Sequence, residues 1–102
     1  MAPPKPTEPK SPSQTPFDKI RVAIREGRLD EADKLLTAER EKAQGVALAE
    51  LTGLAGDQAN AAGRQSNAKW LWRLALKRFG EANAMDTPAA RAVAESLRLA
   101  DV

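Results

Sequence analysis

The spacing Gly27, Ala32, Leu36, Glu39 returns 36 residues later as Gly63, Ala68, Trp72, Ala75. Self-similarity at this period means that one small folding unit is used twice, and a unit this short cannot bury its apolar face alone. A helical hairpin explains the spacing. Gly makes the turn after a first helix, Ala sits where the two helices touch most closely, and the larger residue one turn later fills the space beside it. The next hairpin then packs on both helices.

The rest of the chain fits five helices and no strand. Six of the seven prolines (Pro3, Pro4, Pro6, Pro9, Pro12 and Pro16) crowd the first sixteen residues. Residues 1–16 are therefore expected to be a disordered tail of polyproline-like character, and residues 17–102 a single all-α domain. Pro3-Pro4-Lys5-Pro6 and Pro9-Lys10-Ser11-Pro12 meet PxxP spacing for an SH3-like groove, but any Pro-rich linker does so, and the linker reading is preferred.

Thr15 before Pro16 is the expected N-cap of the first helix, whose apolar face holds Phe17, Ile20, Ala23 and Ile24. Gly27 ends that helix and Asp30 is the candidate N-cap of the second, which carries Ala32, Leu35 and Leu36 inward to a stop near Gln44-Gly45. A third helix is read over 46–62, with an apolar stripe of Val46, Ala47, Leu48, Leu51, Leu54, Ala55 and Ala59. Gly53 and Gly56 inside it would each cost about 1 kcal/mol relative to Ala unless another helix approaches closely there. The fourth helix spans about 66–84 with Ala68, Leu71, Trp72, Ala75, Leu76 and Phe79 inward. Asp86-Thr87-Pro88 restarts the chain for a fifth helix over 89–100.

Composition narrows the function. The chain has no Cys and no His, which removes disulfides, thiolate zinc sites, Ser–His and Cys–His nucleophile pairs and the usual general base. Asp30, Glu31 and Asp33 form the one local acidic group, and a helix N-terminus accounts for it. No enzyme activity, cofactor or metal is expected. No apolar run is long enough to span a bilayer, and Met1-Ala2-Pro3-Pro4-Lys5-Pro6 lacks the apolar core of a secretory signal, so a cytoplasmic protein is expected. Twenty alanines and eleven leucines against two Phe and two Trp make a thin core.

At this point the chain resembles the tetratricopeptide-repeat family, whose second-helix signature matches Gly63, Ala68, Trp72 and Ala75, with Gly56 at the small position of the preceding helix. Gly27-Arg28-Leu29-Asp30-Glu31-Ala32 reads like the second half of another such repeat. Departures are Ile20 and Glu39 in repeat one, and Ala59 and Gly80 in repeat two. The resemblance covers 17–102 and implies a short solenoid of helical hairpins working in protein–protein interaction. A generic Ala-rich bundle is the alternative architecture. In the family the first helix of each hairpin lines an inner groove. The resemblance then implies a partner surface of Phe17, Arg21, Ile24 and Arg25 with Glu50, Gly53, Asp57 and Asn60. The Lys/Asn pattern that clamps a C-terminal carboxylate in some members is not evident.

A second surface comes from charge. The net charge is only +2, with 16 Lys and Arg against 14 Asp and Glu, yet Lys69, Arg73 and Lys77 recur every four residues as one ridge, with Arg64 and Arg78 nearby. Trp70 adjoins this ridge, about 200° around the helix from Trp72. The ridge suits an acidic peptide or, as the rival reading, a phosphate backbone with Trp70 stacking on a base. Solvated long side chains shielding Trp70 are the plainer reading. Two and a half repeats are few for a solenoid. The missing layer is expected from a second copy or a partner, on an exposed stripe of Val93, Leu97 and Leu99. A chain that orders only within its complex is the remaining option.

Overall fold

A computed structural model describes residues 16–100; the expected tail and the Thr15 cap lie outside the described residues. The fold is all-α, in the order α1 Pro16–Arg25, α2 Leu29–Arg40, α3 Val46–Ala61, α4 Gln65–Glu81 and α5 Pro88–Ala100. Consecutive helices pack as antiparallel neighbours, and α1 and α5 also pack on α3. The odd-numbered helices thus share one side of the molecule, while α2 and α4 lie on the other.

The repeat is visible in the backbone. Gly27 and Gly63 take φ values of +79° and +83°, a left-handed conformation that costs a side-chain-bearing residue about 1–2 kcal/mol. The same pair of bonds closes each turn: Arg28 N–H donates to Ala23 and Gly27 N–H to Ile24, as Arg64 does to Ala59 and Gly63 to Asn60. Both are Schellman caps. Asn83 (φ 57°) closes α4 the same way, with Ala84 donating to Phe79 and Asn83 to Gly80. Asn tolerates this region better than most residues, and it stops α4 three residues before the expected Ala84.

Inside each hairpin the matched positions match in environment. Ala32 and Ala68 are fully buried, and Leu36 and Trp72 nearly so. The neighbour opposite is tuned to the plug. Ile20 stands across from Leu36, whereas its counterpart is Gly56, where a Cβ would lie 2.5 Å from the indole of Trp72. A bulky first-helix residue therefore goes with a small plug, and no side chain goes with a large one.

Two further boundaries differ from expectation. Arg28, not Asp30, occupies the N-cap of α2, without a side-chain cap bond, and Asp30 sits in the first turn. α2 ends at Arg40 because Leu36 is its last fully anchored apolar residue, and only Ala43 of the following turn packs back on the core. The restart behaves as read: Thr87 Oγ1 accepts from Ala90 N–H at 3.3 Å, one position ahead of Pro88.

α3 is not a striped helix. Residues 51–56 are all buried, because α3 packs against every other helix and its central turns are therefore apolar or small. Thr52, the buried polar residue there, donates back to the Leu48 carbonyl at 2.7 Å. One cluster of Ile20, Leu36, Leu51 and Leu54 and another built on Trp72, Phe79 and Val93 meet at Leu71.

Candidate functional site

The side shared by α1, α3 and α5 is an open groove of about 780 Å³. Its α1 wall holds Arg21, Ile24 and Arg25, its floor holds Asp57 and Asn60 with one edge of Trp72, and its α5 wall holds Ser96, Leu99 and Ala100. Five of the eight groove residues expected from the sequence are brought together here. Glu50 and Gly53 line a smaller pocket beside Val93 instead, and Phe17 is half-buried and packs on the Ile20–Leu36 cluster.

The groove has a defined electrostatic pattern. Arg21 reaches across from α1 to α3, with its two Nη atoms 3.0 Å from Asp18 and 2.8 Å from Glu50. It is thereby committed to holding the two helices in register. Arg25 forms no ion pair among the described residues and is exposed at the rim. On the floor, the Trp72 indole N–H donates to Asp57 Oδ1 at 3.0 Å. Burial raises the Asp57 carboxyl above its ordinary value, against the opposing pull of the indole bond and of Arg21. Asp57 thus ties the floor to the buried plug of α4, which explains why the groove base and the core share a residue.

On α5, sequence reasoning named Leu99 only as part of an exposed stripe for a missing layer, and missed Ser96 and Ala100 of the groove wall. The signal was present, since Ile24, Asn60 and Ser96 are spaced by the same 36 residues and all line the groove. The period thus extends into α5. The same register corrects the expected apolar stripe. Val93 falls level with Arg21 and Asp57, is buried, and seats where Gly53 has no side chain; a Cβ at Gly53 would lie 2.6 Å from Val93 Cγ2. Leu97 is half-buried against the same core, and only Leu99 of the three is exposed, at 59%, facing the groove. The outward face of α5 is polar, with Arg91, Glu95 and Arg98. Glu95 stands 36 residues after Ala59, which is buried where its hairpin partner covers it; α5 has no such partner among the described residues, and a charge occupies the position.

The α4 ridge is outward-facing. Arg73 and Lys77 are exposed and Lys69 is half-buried, and Lys69 and Arg73 each already interact within the protein. Trp70 is 62% exposed while Trp72 is 3% exposed, which is the contrast their spacing requires. Trp70 also forms one wall of a second cleft, between α2 and α4, that holds none of the ridge lysines. Arg78 departs from the charged group: its Nε is buried without a hydrogen-bond partner among the described residues, near Gly45 and Leu48 at the start of α3. No described helix is long and apolar enough to cross a membrane. Compared with protein-family models, curated proteins and solved structures, the chain matches none.

Proposed function

We propose that the protein is an interaction module of tetratricopeptide-like hairpins that holds a segment of a partner protein in the groove over α3. The observation that carries this reading is the convergence of α1, α3 and α5 on one opening, at equivalent positions of a 36-residue period. A concave face built by successive first helices is how helical-repeat modules present an extended binding surface. The groove offers Arg25 as a cation not held in an ion pair among the described residues, Asn60 and Gln65 as amide partners, and Ile24 and Leu99 as apolar ones. Its natural ligand is a peptide pairing an acidic residue with an apolar side chain. The outer face of α5 is polar, with Arg91, Glu95 and Arg98 exposed, so the reading does not call on a second copy.

The test is selection of a displayed random-peptide library on the full chain. Recovered peptides should share an acidic-plus-apolar pattern, and Arg25→Glu and Leu99→Asp, both at exposed positions, should abolish their binding while circular dichroism stays unchanged. Peptides indifferent to both substitutions would overturn the assignment. Single-stranded DNA serves as the rival ligand: binding that falls steeply with salt and is lost on Arg73→Glu would favour the ridge instead.

A further inference from the structure

The groove over α3 does not end at Asp57. Arg21, Asp57 and Ser96 of the groove also line the smaller pocket beside Val93, which measures about 60 Å³. Arg21, Glu50, Ala89 and Ala92 of that pocket in turn line a third opening of about 480 Å³, completed by Val46, Thr87 and Pro88. The three cavities form one trough along α3, with a wide opening at each end and a waist between them. The far opening is a shelf of aliphatic surface: Val46 is 39% exposed, and Pro88 and Ala92 are exposed beside it. Its two charged residues, Arg21 and Glu50, are spent on each other at 2.8 Å. Ala89 and Ala92, three apart on one face of α5, are too small to fill the shelf. What it offers a partner is therefore apolar contact, and it is continuous with the groove in which the partner is seated.

The shape of the trough selects the conformation of what fills it. An α-helix is about 10–12 Å across with its side chains, too wide to enter a waist of this size, whereas an extended chain passes if a small residue lies there. From Asn60 to Val46 is about 21 Å along α3, and from Leu99 to Pro88 about 16 Å along α5. An extended chain rises about 3.3 Å per residue and turns alternate side chains to one face. Two side chains that both face the floor are then an even number of residues apart, and a span of about 20 Å makes that number six. We infer that the partner segment runs lengthwise over α3 as an extended chain and seats a second apolar side chain on the Val46–Pro88–Ala92 shelf, six residues from the apolar side chain held by Ile24 and Leu99. At the waist, Ser96 and the uncommitted N–H groups of Arg21 supply donors for its carbonyls. The inference rests on the groove being the partner's seat.

A synthetic peptide series tests this on the full chain. Each peptide carries an acid–leucine pair and a second leucine placed five, six or seven residues from the first, with a spacer of threonine and a central glycine; a control peptide lacks the second leucine. In NMR titrations of the nitrogen-15-labelled protein, the six-residue spacing should bind about tenfold tighter than the others, the gain expected from burying one leucine side chain. It should shift the Ala89 and Ala92 amides as well as those of Asn60 and Ser96. Ala92→Gln and Val46→Gln, neutral changes at exposed positions, should each bring it down to the affinity of the control peptide. Equal affinities across the series, unshifted Ala89 and Ala92 amides, a bound peptide with helical circular dichroism, or indifference to both variants would each overturn the second seat and leave the groove as the seat of the acid–leucine pair. If no peptide binds, or if Arg25→Glu changes nothing, the groove assignment falls and the second seat falls with it.

Discussion

Replacing Gly56 by Ala sets two effects of opposite sign against each other. Gly56 is a mid-helix glycine, and propensity alone favours Ala by about 1 kcal/mol. The added Cβ, however, would stand 2.5 Å from both Cδ1 and Nε1 of Trp72 and 3.1 Å from Cγ. The indole has little room to yield, because Trp72 is 3% exposed and its N–H is bonded to Asp57. Overpacking of this kind costs about 1–3 kcal/mol. A ring that swings aside also loosens a hydrogen bond to a charged acceptor, worth about 1.5–3 kcal/mol. The expected net effect is a loss of about 1–3 kcal/mol, or about 4–8 °C of melting temperature per kcal/mol in a domain of this size. Urea denaturation followed by circular dichroism measures it. In a Trp72→Leu background the plug matches that of repeat one, where Ile20 is accommodated opposite Leu36, and there Gly56→Ala should become stabilising. Gly80→Ala, at a helical position with no atom within 4 Å of the added Cβ, supplies the propensity gain alone. A Gly56→Ala protein more stable than wild type would refute the close-approach argument.

Two further substitutions probe the floor and the far end of the bundle. Because burial raises the Asp57 carboxyl, the folded state binds its proton more tightly than the unfolded state. Asp57 thus favours folding less and less as pH climbs from the ordinary carboxylate value through the raised one. Asp57→Asn keeps an oxygen acceptor for Trp72 and should stabilise the protein at neutral pH, with the difference shrinking in acid; thermal melts across pH read it, and an advantage independent of pH would contradict the assignment. Arg78→Met removes a buried Nε without a partner while keeping an apolar stem, and should stabilise by about 1 kcal/mol; a destabilised variant in urea titration would show that the guanidinium makes a favourable contact of its own.

What the sequence determined by itself was local. A turn that needs positive φ writes Gly27 and Gly63 into the chain, a proline restart writes Thr87-Pro88, and the 36-residue period places Ala32 with Ala68 and Leu36 with Trp72, since each depends on residues within a few turns of one another. The part of the α1 and α3 groove lining that was legible (Arg21, Ile24, Arg25, Asp57 and Asn60) came through the resemblance to tetratricopeptide repeats and not from local spacing. Tertiary packing decided the rest. That α3 packs against all four other helices, that Gly53 makes room for Val93 and Gly56 for Trp72, that α5 supplies the second groove wall with Ser96 and Leu99, and that Asp57 bonds the indole fifteen residues away are matters of which helices meet. Those meetings depend on how volumes fit across the interior, and one-dimensional spacing carries volume only where two copies of a unit can be compared.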